Sequence, residues 1–155
     1  MKIDRISYIF TYGTLMSSAE GPLGSAERTM MSARGERVGN VAIRGQLFDT
    51  GLCPGVILAG SPRDRVQGEL WRLPADRAEL LAALDRYEGC APDNPCPPPY
   101  ARRRIRIREP HGRRVTAWIY VWLGPTTKLP RIADGRWRPV QRVRDSAVPA
   151  ERVRL

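Results

Sequence analysis

Residues 100–123 read YARRRIRIREPHGRRVTAWIYVWL: two runs of alternating character on either side of a turn at His111 and Gly112. In the first run Ile105 and Ile107 share one face, and Arg102, Arg104, Arg106 and Arg108 share the other, because successive strand side chains point to opposite sides. In the second, Val115, Ala117, Ile119 and Val121 alternate with Trp118, Tyr120 and Trp122. Two period-two runs about a glycine-containing turn predict a β-hairpin. Strict alternation sends the arginines to a solvated sheet exterior, and Tyr100 with them, unless a bulge or the preceding loop re-aims it. The face of Trp118, Tyr120 and Trp122 either packs the sheet against a covering element or could stack on nucleotide bases.

Upstream, RISYIFTYGTL (residues 5–15) alternates Ile6, Tyr8, Phe10 and Tyr12 against Ser7, Ile9 and Thr11, and predicts a strand ending at Gly13. SAERTMMSARG (25–35) predicts a short helix with Ser25 as N-cap and Gly35 as its stop. RVGNVAIRGQLFDT (37–50) and PGVILAG (54–60) read as two strands joined by a turn near Gly51 to Pro54, and DRVQGELWRLP (64–74) as another. A second helix follows. Asp76 and Glu79 resemble a capping box, Leu80, Leu81, Leu84 and Tyr87 form the apolar stripe, and Gly89 is the stop. The proline-rich CAPDNPCPPP (90–99) cannot be helical. From about residue 124 the periodicity dissolves into irregular chain with at most one short extended piece.

The sum is about six strands and two helices in one domain spanning residues 1–155. Mostly hairpin-connected strands point to an α+β fold, with an antiparallel or mixed sheet closed into a small barrel and helices at one side.

Composition narrows the function. The net charge is +10, and all basic residues but Lys2 and Lys128 are arginines. Such a surface could attract nucleic acid or another polyanion, or could simply be solvated; no nucleic-acid-binding motif favours the first reading. Three cysteines, Cys53, Cys90 and Cys96, suggest reduced thiols, although Cys90 and Cys96 could bridge a small loop. The sole histidine, His111, sits at the hairpin tip, which argues against a Ser-His-Asp triad or a histidine-rich metal site. The N-terminus has no signal-peptide pattern and no apolar run reaches membrane-spanning length, so a cytoplasmic location is expected.

Two places invite chemistry. Tyr12, Gly13, Thr14 and Leu15 leave a strand through glycine, either as an ordinary strand-ending turn or as a loop whose backbone amides face a carboxylate or a developing oxyanion. Glu88 is the last side chain before the helix stop, where the helix dipole disfavours an anion; it is either a solvent-exposed glutamate that tolerates the position or a carboxyl whose pKa the helix end and nearby apolar groups raise toward neutrality. Such a group can accept and return a proton. Asp85, one turn earlier, is either a second carboxylate or a partner for arginine.

The strand ending in YGTL, the QGELW strand, LDRYEG at a helix end, the Tyr-x-Arg entry to the hairpin and its AWIYVW strand occur in an order that resembles the γ-glutamylcyclotransferase-like superfamily. The similarity is greatest to small bacterial members related to γ-glutamylamine cyclotransferase. Gly135 and Trp137 match a Gly-x-Trp element seen later in such chains. The resemblance implies a small β-barrel with flanking helices, no metal or organic cofactor, and a small-molecule γ-glutamyl substrate. It implies attack of that substrate's α-amine on its own γ-carbonyl, releasing 5-oxoproline and a free amine. By the same resemblance Glu88 is the catalytic acid/base, Tyr12, Gly13, Thr14 and Leu15 cradle substrate, and Tyr100 is a further substrate-binding residue. The alternative is a non-catalytic binding module for an acidic partner or nucleic acid on the same scaffold.

Overall fold

The hairpin forms as its alternation requires. In the computed structural model, which describes residues 5–138, Tyr100–Arg108 and Arg114–Trp122 pair antiparallel from Tyr100↔Trp122 to Arg108↔Arg114 without a register shift. In chain order the elements are β1 (Tyr8–Thr11), α1 (Ser25–Arg34), β2 (Glu36–Arg44), β3 (Gln46–Asp49), β4 (Pro54–Ile57), β5 (Arg65–Arg72), α2 (Ala78–Tyr87), β6 (Tyr100–Arg108), β7 (Arg114–Trp122) and β8 (Arg131–Ile132). The class is α+β with a mixed sheet: β1 pairs antiparallel with β5 and parallel with β7.

The strands number eight among the described residues, two more than the sequence reading. The run read as one strand over 37–50 is two. It breaks at Gly45, whose amide bonds Asp64 O and whose missing side chain leaves room for Ile57 O. There the chain passes from a five-stranded sheet, ordered β2-β5-β1-β7-β6, to a three-stranded one, ordered β4-β3-β8. The short β8 is the extended piece expected after residue 124. The remainder of that irregular segment, residues 139–155, lies outside the described residues. The large sheet curls and the small sheet packs inside it, but they do not join into one hydrogen-bonded cylinder; the barrel is open.

Two apolar clusters hold this arrangement. Phe10, Val66, Leu70, Ala117 and Ile119 fill the concave side of the large sheet against Leu47 and Val56 of the small one. On the convex side Ile9, Trp71 and Tyr120 meet Met31 of α1 and Leu80, Leu81 and Leu84 of α2. Leu80 and Leu84 are fully buried, each contributing about 2 kcal/mol of transfer free energy. The i, i+4 spacing of these leucines gives α2 its single apolar face.

Helix α2 also corrects the reading of the hairpin. Tyr100 is buried, not solvent-facing, and no bulge turns it. Its face is simply covered at this end, since Tyr120, Trp118 and Trp122 pack with the leucines of α2. The same cover removes these aromatics as a free stacking platform for bases. Arg102, read as part of a solvated stripe, lies beneath α2 as well, with its guanidinium 4.2 Å above the Trp118 ring. Arg104, Arg106 and Arg108 extend past the helix and are exposed as expected.

Neither proposed N-cap operates. Gly24 occupies the α1 cap with no side-chain bond, and Ser25 is the first helical residue. Asp76 instead pairs with Arg34 at 3.2 Å, which fastens the end of α1 to the start of α2. The two glycine stops do hold: the Gly35 amide reaches Met31 O, and Gly89 takes a left-handed φ of 78° after α2. All three cysteines are free thiols, so no Cys90–Cys96 bridge is present. Among the described residues no helix is long and apolar enough to cross a membrane.

Gly89→Ala should destabilise the fold by about 1–2 kcal/mol, because an L-residue is strained at this φ. Its Cβ would also lie 3.0 Å from Pro99 Cδ. Thermal unfolding of the variant beside the parent at one pH measures the loss as a lower midpoint.

Candidate active site

The last turn of α2 is closed by backbone bonds alone. Glu88 N donates to Leu84 O at 2.9 Å, Gly89 N to Arg86 O at 3.2 Å and Cys90 N to Asp85 O at 2.9 Å. The last two are the crossed pair of a Schellman motif, which requires the left-handed glycine. This termination holds Glu88 in helical geometry (φ −81°, ψ −2°) at the C-cap, beside carbonyls that carry partial negative charge.

The Glu88 side chain enters a cleft of about 330 Å³ that opens to solvent. All six residues nominated from sequence, Tyr12, Gly13, Thr14, Leu15, Glu88 and Tyr100, line this one cleft, joined by Cys53, Pro54 and Tyr120. Glu88 keeps part of its surface open at the mouth, while protein packs closely round the carboxyl. Burial, then the negative charges of Asp85 and Glu27, push this carboxyl from 4.5 up to about 8. Among the described residues no donor reaches it. A carboxyl this enclosed and unpaired is poised to exchange a proton near neutral pH.

The three tyrosines of the wall are committed elsewhere. Tyr12 donates its hydroxyl proton to Tyr120 O at 2.5 Å, Tyr100 to Pro54 O at 2.8 Å and Tyr120 to Asp85 Oδ1 at 2.6 Å. Burial above all raises each phenol beyond its ordinary value. Cys53 lies 3.3 Å from the Tyr100 hydroxyl, and burial raises its thiol too. Glu88 is therefore the lining group best matched to proton transfer at physiological pH.

In the same cleft the chain leaves β1 through Gly13, against which Pro54 packs so closely that a Cβ would come within 2.6 Å of its ring. Among the described residues nothing accepts a hydrogen bond from the amides of Gly13, Thr14 or Leu15, which leaves them able to bind an anion. The loop is held from three sides. Tyr87, next to Glu88, shares a 2.7 Å hydroxyl bond with Thr14; Arg28 of α1 donates to Thr14 O at 2.8 Å; and Glu69 of β5 receives Ser17 N at 2.6 Å and Ser17 Oγ at 2.5 Å.

Sequence reasoning treated Glu69 only as part of a strand motif and missed its clamp. It is a buried carboxylate with Arg37 Nε at 2.7 Å. Burial works to raise its pKa, but the bonds from Ser17 and Arg37 outweigh it and hold the group ionised. A glutamate among apolar strand residues was the available signal. Thr11 was missed as well: the residue lines the cleft, and its buried hydroxyl has no hydrogen-bond partner among the described residues. Asp85 resolves as an arginine partner, gripped by Arg102 at 2.8 and 3.1 Å, and its charge still bears on Glu88.

The fold has well-defined relatives among solved structures. YkqA from Bacillus subtilis superposes with a TM-score of 0.61 at 20% identity; the match covers 90% of this chain and 42% of that one, so this chain spans about two fifths of that protein. Protein ytfP from Escherichia coli gives 0.56 at 26% identity, covering 86% and 98% of the two chains. An AIG2-like protein from Mus musculus gives 0.60 at 20% identity, covering 81% and 84%. Among curated proteins none matches the sequence. The model of one family, "Gamma-glutamyl cyclotransferase, AIG2-like", matches residues 9–139, a span that takes in the YGTL loop, the Glu88 helix end and the hairpin. The chain belongs to the AIG2-like γ-glutamyl cyclotransferase family.

Proposed function

We propose that the protein is a cofactor-free cyclotransferase that cleaves a γ-glutamyl amide, with Glu88 as general acid/base. Family membership points to cyclotransferase activity in general. The observation that carries the finer reading is that Glu88, unpaired among the described residues, and the free amides of Gly13, Thr14 and Leu15 belong to the lining of one cleft. The amides receive the substrate's α-carboxylate or the oxyanion that develops on its γ-carbonyl. Ionised Glu88 takes a proton from the neutral α-amine as its nitrogen attacks the carbon of the γ-carbonyl. A carbon–nitrogen bond closes the five-membered ring, the amide carbon–nitrogen bond breaks, and Glu88 returns the proton to the departing nitrogen. The products are 5-oxoproline and a free amine.

The reaction is intramolecular, so holding the chain bent supplies much of the acceleration; effective molarities reach ~10⁵ M or more in well-oriented cases. The tyrosine wall suits this task. Its hydroxyls are occupied, so it confines the substrate without competing for the proton. The reading extends to residues 1–155 as one catalytic domain, acting in the cytoplasm on a small γ-glutamyl compound.

Glu88→Gln keeps the shape and removes the titrating group. Release of 5-oxoproline should fall by roughly 10²–10⁴-fold. Parent and variant would be compared on γ-glutamyl amino acids, glutathione, γ-glutamyl-ε-lysine and simple γ-glutamylamines. Equal turnover by the two would sink the role of Glu88.

Because Glu88 must be ionised to act as base, kcat/KM should climb with pH through an apparent pKa of about 8. Asp85→Asn removes a negative charge that raises this pKa, so the acidic limb should move to lower pH. An unmoved limb would assign it to another group.

The same pKa sets a stability cost of known sign. A native carboxyl raised above its unfolded value binds more protons folded than unfolded, so stability falls as pH climbs from about 4.5 to about 8. Glu88→Gln should therefore unfold at a higher temperature than the parent at pH 8–9 and at a nearly equal one at pH 4. Melting curves at the two pH values test this without any substrate.

A further inference from the structure

The large sheet ends in two strands, β2 and β6, each paired on one side only among the described residues. Traced through the pairings β2–β5, β5–β1, β1–β7 and β7–β6, these two edges run antiparallel to each other. The curl of the sheet brings them to opposite walls of one groove. At one end Gly39 of β2 sits against Pro110, where a Cβ would come within 2.9 Å of the proline ring. Beyond it the walls stand apart around a space of about 800 Å³ open to solvent, bordered by residues 42–44 of β2 and 105–108 of β6. This is where the barrel fails to close.

The lining has a definite chemistry. Ile43, Ile105 and Ile107 supply apolar surface, and Leu58 adds a large side chain that is 45% exposed. Arg44, Arg65, Arg106 and Arg108 surround it, and among the described residues no carboxylate lines the groove. Among the described residues none of these four arginines has an acidic partner: Arg44 bonds Gly60 O, Arg106 bonds Thr116 and Arg108 bonds Gly112 O.

We propose that this groove is a docking site for an extended acidic segment of a partner protein, which adds to the free edge of β6 as a further strand. A strand can pair with the backbone of residues 105–108, the part of the edge that borders the groove, with alternate side chains falling on the apolar floor and among the arginines. The charge selects the occupant. Edge arginines repel a second copy of the same edge, a recognised guard against self-pairing, yet attract a strand bearing Asp or Glu. Residues 139–155 of this chain carry four arginines against two acidic residues, so charge disfavours them as the occupant. The groove is distinct from the Glu88 cleft, with no lining residue in common.

The test uses a fluorescein-labelled peptide of alternating glutamate and valine, about nine residues long to match β6. Anisotropy should report saturable binding that weakens as salt is raised. Binding should fall at least tenfold for Arg106→Glu combined with Arg108→Glu, and also for Arg44→Glu combined with Arg65→Glu. Melting curves would check that these variants fold, with glutamine replacements in reserve where a reversal does not. Glu88→Gln should bind as the parent does. Backbone NMR shifts should concentrate at residues 105–108. A peptide with proline at alternate positions, unable to pair as a strand, should bind at least tenfold more weakly. No saturable binding, equal binding by the proline peptide, indifference to both reversals, or displacement by a single-stranded oligonucleotide at lower concentration than by unlabelled peptide would overturn the proposal.

Discussion

The site depends on how the end of α2 is fixed to the sheet. Arg102 of β6 grips Asp85 through two hydrogen bonds, Tyr120 of β7 donates to the same carboxylate at 2.6 Å, and Gly89 then stops the helix one turn later. With Asp85 pinned and the stop fixed, Glu88 is confined to one position over the cleft. The anchor is electrostatic but shielded: the pair is mostly buried, and Arg102 also lies flat over the Trp118 ring. A shielded, bidentate arginine–carboxylate pair is held more rigidly than one in water. Asp85 therefore has two effects, locating Glu88 through the helix and raising its pKa through charge.

The second half of the site is pinned by an equally specific device. Glu69 fixes the turn after β1 by accepting both the amide and the hydroxyl of Ser17. Glu69 and Glu88 are both enclosed glutamates, yet their environments send them opposite ways. Three hydrogen bonds from Ser17 and Arg37 keep Glu69 charged, while Glu88 has none among the described residues and is driven toward the neutral acid. Pairing, more than burial, separates a structural carboxylate from one available for proton transfer.

Much of this was legible in the chain. Period-two alternation placed the hairpin, the leucine spacing placed α2, and Gly89 marked its end. The dipole argument singled out Glu88 from a local conflict between residue type and position. What stayed hidden was set by contacts distant in sequence. Tyr100 reads as exposed because alternation describes a strand alone, and its burial follows from α2 lying across that end of β6. The strand break at Gly45 was invisible because Arg44 and Gln46 continue the local pattern, and only the move to a second sheet separates them. Asp76 was a plausible cap until Arg34, 42 residues away, gave it a better partner. The clamp on Ser17 joins residues 52 apart.

The tyrosine wall shows why a single titratable group can serve this cleft. On the proposed mechanism, a phenol with a free hydroxyl beside the substrate would offer a second donor and would compete with Glu88 for the leaving nitrogen. Here Tyr12, Tyr100 and Tyr120 each send their proton to an oxygen in the scaffold, two of them to backbone carbonyls. Those bonds also tie β1 to β7 and β6 to β4, so the groups that keep the cleft apolar also hold its strands together. Loss of the Tyr100 hydroxyl would take that donor from the Pro54 carbonyl, at a cost of about 1–3 kcal/mol, whereas Asp85 would keep Arg102 if the Tyr120 hydroxyl were lost. The wall thus serves first to hold the cleft's shape, and on the proposed mechanism proton transfer falls to Glu88, the carboxyl in the cleft that no described residue pairs.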